Sequence, residues 1–265
     1  MSGLMKNKKG LVMGVANQKS IAWGIAEVLS SEGASLALTY QGDSFKKRVE
    51  PLAKSIGSNL IFDVDVTDES SIDHCFNELS KEWGSLDFVV HALAFSDKSE
   101  LAGRFINTSR QNFLNSLDIS CFSLIDISKR CSPLMNSGGA ILTLSYLGSQ
   151  RVTPNYNVMG VAKAALESSV RYLASDLGED GIRVNAISAG PMKTLAGAAI
   201  GGARRVFRIS EQNSPLKSNP TLKSVGGTAA FLLSDYGMHV SGEVIFVDGG
   251  YHVMGMPKLD DTEKV

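Results

Sequence analysis

Gly10-Leu11-Val12-Met13-Gly14-Val15-Ala16-Asn17-Gln18-Lys19-Ser20-Ile21-Ala22-Trp23-Gly24 is the stretch on which the fold turns. Gly10 to Val15 is an apolar run of strand length, and from Ile21 the chain keeps helical spacing to Ser31. The pattern repeats outward. Leu36–Tyr40, Leu60–Val64 and Leu86–Ala92 read as strands, with helices at about Ser44–Ile56 and Ser70–Trp83 between them. These strands are near-continuous apolar runs, so both faces of the sheet are covered, and strands separated by helices imply right-handed βαβ crossovers. The second half predicts one long helix at about Arg110–Met135, a strand at Gly139–Ser145 and a helix at Tyr156–Leu177 that Gly181 closes. Then come a strand at Arg183–Ser188, a helix at about Leu222–Ser234 and a strand at Val244–Val247. The expectation is an α/β fold, a single Rossmann-like doubly wound seven-stranded parallel sheet with helices on both faces. Residues 1–256 are expected to form one domain, with a mobile substrate loop at about 192–210 and a polar, disordered tail at 257–265.

Composition narrows the function. The 265 residues are 43% hydrophobic and 20% charged, ordinary for a globular chain. Lys plus Arg total 26 against 27 acidic residues, which argues against a nucleic-acid binder. No apolar run is long enough to span a membrane, and the N-terminus lacks a signal-peptide core. Cys75, Cys121 and Cys131 show no pairing logic, which suits a reducing, cytoplasmic setting, and four scattered histidines lack metal-ligand spacing, so no metal is expected.

In a doubly wound sheet the ligand lies at the carboxyl ends of the strands. The first turn is not GxGxxG. Gly14 permits a tight turn, and Ser20 with the amides before Ile21 can cap the helix and face a phosphate; the same residues also suit a plain βα turn. After the second strand stands Gln41, which can bind ribose hydroxyls without repelling a 2′-phosphate, so physics leaves NADH and NADPH both open. After the third strand, Asp65 and Val66 offer a carboxylate and an apolar side chain where adenine would lie, although Asp65 could equally be the next helix's N-cap.

Lys163 falls inside the apolar stripe Leu166, Val170, Leu173, Leu177 of its predicted helix. Its stem either snorkels to water or aims an ammonium into a cleft, where it binds ribose and lowers the pKa of a neighbouring phenol. Tyr156, close to two helical turns earlier, is expected on the same face.

The chain resembles the short-chain dehydrogenase/reductase superfamily, and within it the bacterial enoyl-[acyl-carrier-protein] reductases. The resemblance runs from about Gly10 to Gly255. It rests on Gly14-x5-Ser20-x-Ala22, Ser20-Ile21-Ala22-Trp23-Gly24, Tyr156-x6-Lys163 within Asn155-Tyr156-Asn157-Val158-Met159-Gly160, Ala186-Ile187-Ser188-Ala189-Gly190-Pro191, Thr194-Leu195-Ala196 and Val247-Asp248-Gly249-Gly250. Ordinary members use Tyr-x3-Lys with a serine about thirteen residues before the tyrosine. Here Met159 and Tyr146 hold those positions, which disfavours a ketone or alcohol substrate and favours a carbon–carbon double bond.

The resemblance implies hydride transfer from NADH, with NADPH less favoured, to the β-carbon of a trans-2-enoyl thioester. It implies that Tyr156 hydrogen-bonds the developing enolate, that Lys163 holds the cofactor ribose, and that Tyr146 is an auxiliary phenol in the acyl pocket. Gly14, Ser20, Ile21, Gln41, Asp65, Val66, Leu93, Lys163, Met192, Lys193, Thr194, Leu195 and Ala196 match the family's dinucleotide contacts, and Ser96 a position near the thioester. At Ala94 many relatives carry glycine, so its methyl is expected to narrow the nicotinamide pocket. A homotetramer is likewise implied. From Lys193 to Ser210 four basic residues (Lys193, Arg204, Arg205, Arg208) stand without an acidic one, and the three arginines are expected to dock an acidic acyl-carrier protein. The competing readings are a 3-oxoacyl-carrier-protein reductase or other short-chain dehydrogenase, and a catalytically silent NAD(H)-sensing protein.

Overall fold

A computed structural model describes residues 3–195, 197 and 201–256. Seven parallel strands form one sheet in the order β3-β2-β1-β4-β5-β6-β7. They are β1 (Lys9–Met13), β2 (Ser35–Tyr40), β3 (Leu60–Asp63), β4 (Leu86–His91), β5 (Met135–Ser145), β6 (Arg183–Ala189) and β7 (Val244–Val247). The order reverses between β1 and β4, which makes that pair the switch point beyond which a ligand crevice opens. The doubly wound architecture expected from the apolar runs is the one observed.

The strands read as continuous apolar runs because alternate residues enter two separate cores. Val12, Phe88, Val90, Ala140 and Leu142 pack with helices α1 (Ile21–Ser31), α2 (Asp43–Ser55) and α9 (Leu222–Leu233). Leu11, Met13, Val89 and Ile141 pack against helices α3 (Glu69–Trp83), α6 (Ser123–Cys131) and α7 (Val158–Gly178) on the other face. Two short helices, α4 (Lys98–Leu101) and α5 (Arg110–Leu117), follow β4, and α8 (Ala203–Asn213) lies between β6 and α9.

Two elements depart from expectation. The long helix predicted over 110–135 is broken: α5 passes into a π-helical turn at Asp118–Phe122 before α6, and a 3-10 turn at Ser132–Leu134 ends the run at Pro133. Side chains compete with the backbone there. Ser120 Oγ bridges to the Phe95 amide (3.0 Å) and carbonyl (3.1 Å), and Ser123 Oγ donates to the Ile119 carbonyl at 2.7 Å. Strand β5 also starts earlier than Gly139, pairing Met135 with Leu86 across an irregularity before Phe88–Ala140. The predicted tail at 257–265 lies outside the described residues. Among those described, no helix is long and apolar enough to cross a membrane.

Candidate active site

The sheet delivers the predicted residues to one edge. Gly14, Gln41, Asp65, Val66, Leu93, Tyr146 and Met192 all follow the carboxyl ends of their strands. Gly14 takes φ +87°, and a side chain there would meet the Ala92 carbonyl oxygen at 2.3 Å, so the crossing of β1 past β4 admits only glycine. Ser20 occupies the N-cap position of α1, but its hydroxyl does not cap the helix. It turns back into the preceding turn, donating to the Asn17 carbonyl at 2.6 Å and accepting from the Ala16 amide at 3.4 Å. The first amides of α1 are left without a side-chain cap, the condition that suits an anion at a helix N-terminus.

Asp65 is not the N-cap of the following helix; Asp68 is, accepting from the Ser70 amide at 2.9 Å. Asp65 instead accepts from Gln41 Nε2 at 2.9 Å and from Thr67, so the two residues expected at the adenosine end meet each other. The hydrogen bonds from Thr67 and Gln41 outweigh desolvation and hold the Asp65 carboxyl below its ordinary range. An uncapped helix start, a glycine-only crossing and an ionised carboxylate beyond them suit a dinucleotide.

Ile21 and Val66 are half-buried beside this edge, and Leu93 stands against Gly14, its Cδ2 3.1 Å from where a Cβ would be. Ser96 donates to Asn112 Oδ1 at 3.2 Å, which also receives the Asp97 amide. Ala94 is exposed. After β6, Thr194 Oγ1 accepts from the Gly197 amide, Leu195 is exposed, and Lys193 Nζ lies 4.8 Å from the Phe207 ring, joining this segment to α8. Ala196 lies outside the described residues. Helix α8 (Ala203–Asn213) takes up the second half of the expected 192–210 loop and runs past Ser210.

Tyr156 differs from expectation in setting. Helix α7 begins at Val158, so Tyr156 stands before it and not on a helical face. Asn155 (φ +60°) and Asn157 (φ +39°) flank it in left-handed backbone, which breaks the helix at this point. Asn155 Nδ2 donates to the Gly201 carbonyl at 2.8 Å and Asn157 Nδ2 reaches the Glu100 carbonyl at 3.3 Å, so both asparagines stake the turn. The Tyr156 ring meets Tyr146 edge-to-face, centroids 5.0 Å apart, and packs with Met159 and Leu101. Burial raises the Tyr146 phenol to about 12 and pushes Tyr156 higher still, with Tyr146 and then Glu167 adding to the latter. Both phenols are therefore protonated at neutral pH.

Lys163 does not snorkel. It is 5% exposed and donates to the Leu144 carbonyl at 2.7 Å. Burial lowers its ammonium to about 8, against opposing contributions from Cys121 and Glu167. His91, fully buried behind this site, is held neutral: burial first and Lys163 second bring it down to about 3. Its ring joins Thr143 (2.9 Å) and Ser123 (2.8 Å). Sequence reasoning missed His91 and Glu167. Glu167 was accessible to it, being a carboxylate between Leu166 and Val170 in the stripe that also contains Lys163. Among the described residues no group of three His, Cys, Asp or Glu side chains is placed to hold a metal.

This sheet, with a buried lysine on the helix that follows a buried phenol, places the molecule in the short-chain dehydrogenase/reductase class. The enoyl-(acyl carrier protein) reductase family model matches residues 14–252. The enoyl-[acyl-carrier-protein] reductase [NADH] 1 of Rhizobium meliloti (strain 1021) is 56% identical over 98% of this chain and 95% of its own. The FabI protein of Rickettsia conorii, an enoyl-[acyl-carrier-protein] reductase [NADH], is 52% identical over 97% and 99%. The crystal structure of the Anaplasma phagocytophilum reductase in complex with NAD is 54% identical, with a TM-score of 0.93 over 98% of this chain and 97% of that one. FabI from Candidatus Liberibacter asiaticus superposes with a TM-score of 0.95 at 52% identity, over 97% and 100%. The chain belongs to the enoyl-[acyl-carrier-protein] reductase family.

Proposed function

We propose that the protein is an NADH-dependent enoyl-[acyl-carrier-protein] reductase, acting on the double bond of a trans-2-enoyl thioester in fatty-acid synthesis. The observation that carries this reading is buried Tyr156 set edge-to-face against partly buried Tyr146, with Lys163 buried on α7 and Met159 packed where an alcohol dehydrogenase of this class would keep its acid. When bound, NADH supplies the hydride for the β-carbon. The first amides of α1 would bind its phosphates, Gln41 and Asp65 would take its adenosine end, and Lys163 would hold its ribose. Ser20, Ile21, Val66, Leu93 and Met192 to Leu195 would complete the cofactor wall.

Charge develops on the thioester oxygen as the β-carbon is reduced. Tyr156, protonated throughout, donates a hydrogen bond to that oxygen, and the preformed donor in a dry site lowers the barrier. Lys163 keeps the local field positive. Tyr146 buttresses the Tyr156 ring and lines the acyl channel, with Ser96 near the thioester. The bridge from Asn155 to Gly201 supports coupling between the Tyr156 turn and the 192–210 segment, which we read as the substrate loop.

Arg204, Arg205 and Arg208 are exposed on α8 and support docking of an acidic acyl-carrier protein. Exposed apolar side chains on the α5–α7 side (Leu114, Phe122, Ile125 and Tyr172) support assembly into a homotetramer. The three cysteines are buried and unpaired, which supports a reducing compartment, and we assign the enzyme to the cytoplasm. The test is absorbance-monitored NADH oxidation with a trans-2-enoyl thioester and, separately, a 3-oxoacyl thioester. Turnover of the enoyl substrate alone is expected. Turnover of the keto substrate would mean that the Met159 and Tyr146 positions were misread, and tight NADH binding with neither reaction would point to a sensing role.

A further inference from the structure

Glu167 is a buried carboxylate that the reaction above does not use. It lies one helical turn after Lys163 on α7 and is 5% exposed. An anion that deeply buried persists only when its lone pairs are satisfied. Oε1 accepts from Ser145 Oγ at 2.5 Å and from Ser149 Oγ at 2.6 Å, and Oε2 receives Gln150 Nε2 at 3.4 Å. All three donors belong to one segment, running from the end of β5 through the 3-10 turn Leu147–Ser149 to its C-cap Gln150. That segment carries Tyr146, and its Gly148 lies against the Tyr156 ring. Lys163 ties to the same segment through the Leu144 carbonyl. Two adjacent turns of α7 thus grip the chain on either side of Tyr146.

We propose that Glu167 is a positioning residue for the reductase, clamping Ser145–Gln150 to α7 so that Tyr146 and Tyr156 keep their edge-to-face arrangement, and setting a buried negative charge one turn from Lys163. The proposal rests on the reductase reading. The charge has a definite sign of effect. The titratable groups that interact with Lys163 are Cys121 from the π-helical turn, neutral His91 from β4, and Glu167 itself. Arg183 on β6 is engaged with the carbonyls of Leu232, Ser234 and Val240. Glu167 is one of the groups that oppose the loss of the Lys163 proton, and it helps Tyr156 to keep its own. Removing its charge moves both groups toward deprotonation at lower pH.

The experiment compares wild type, Glu167→Gln, Glu167→Asp and Ser149→Ala in full-length enzyme, measuring kcat, KM for NADH and the pH profile with an enoyl thioester, with thermal melting as the folding control. Glu167→Gln should lower kcat about tenfold or more with KM for NADH nearly unchanged. Its alkaline limb should shift about half a unit to one unit toward lower pH. Glu167→Asp should keep the limb near wild type while kcat stays low, because the shorter carboxylate cannot reach Ser145 and Ser149 together. Ser149→Ala should lower kcat with the limb unmoved. Wild-type kcat and an unmoved limb in folded Glu167→Gln would overturn the proposal. Should that variant not fold, wild-type kcat in Ser149→Ala would overturn it. Failure of the wild type to reduce the enoyl substrate would instead overturn the reaction itself, a result distinguishable from the other two.

Discussion

Tyr156 rests on a glycine. A Cβ built at Gly148 would lie 2.4 Å from Tyr156 Cδ1, far inside contact distance, so the ring can occupy its place beside Tyr146 only because residue 148 has no side chain. Gly148→Ala should push the ring aside, and displacement of about 1 Å at a reacting centre costs on the order of 10²-fold. The expected outcome is a large drop in kcat with NADH affinity, read by fluorescence titration, close to wild type; unchanged kcat would show that the ring position is not critical. At this scale the sequence was legible in part. Tyr156 and Lys163 stood out by spacing, and Lys163 by its place in an apolar stripe. The partners that fix them were harder to see. Leu144 contributes a carbonyl, which no side-chain pattern records, and Ser145, Ser149 and Glu167 are separated in sequence until β5 and α7 pack together.

The elements followed their apolar periodicity closely, with α1 and β7 ending where the pattern ended. The misreadings came where side chains bond to backbone. Hydroxyls at Ser120 and Ser123 open the predicted long helix into a π-helical turn, and left-handed asparagines delay α7 past Tyr156. Arg183 is a further case. A fully buried 7-residue strand contains this guanidinium at 8% exposure, donating to the carbonyls of Leu232 (2.6 Å) and Ser234 (3.4 Å) at the end of α9 and of Val240 (3.3 Å) beyond it. It closes the carbonyl end of the helix and meets the negative end of its dipole. Arg183→Met removes every one of these donors, and a loss of about 2–4 kcal/mol is expected in chemical denaturation. A change below about 0.5 kcal/mol would mean that other donors satisfy the end of α9.

Across the whole molecule, the doubly wound order brings Gly14, Gln41, Asp65, Val66, Leu93, Tyr146 and Met192 to the carboxyl ends of their strands, and it is the fold that the apolar runs forecast. The 192–210 segment was less readable, because Gly- and Ala-rich sequence has weak periodicity, and a helix stands at Ala203–Asn213 where a loop was read. The arginines of α8 turn an almost neutral chain locally positive. Charge reversal at Arg204, Arg205 and Arg208 should raise KM for a carrier-linked enoyl substrate about tenfold, acting mainly on encounter, and leave a short coenzyme A thioester unaffected. Equal effects on both substrates would remove the docking role. The protein's net charge of −1 makes this a local field, so the difference should fade as salt rises.

The most direct test of the account is Lys163→Ala, measured for NADH binding and for NADH oxidation with a trans-2-enoyl thioester across pH. In wild type, activity should hold below about pH 8 and decline above it as the Lys163 ammonium is lost. The variant should keep its fold, bind NADH more weakly, and lose turnover by about 10²-fold or more with that alkaline limb abolished. Turnover near the wild-type rate, or an alkaline limb that survives without the lysine, would contradict the claim that a buried ammonium behind Tyr156 sustains the reaction.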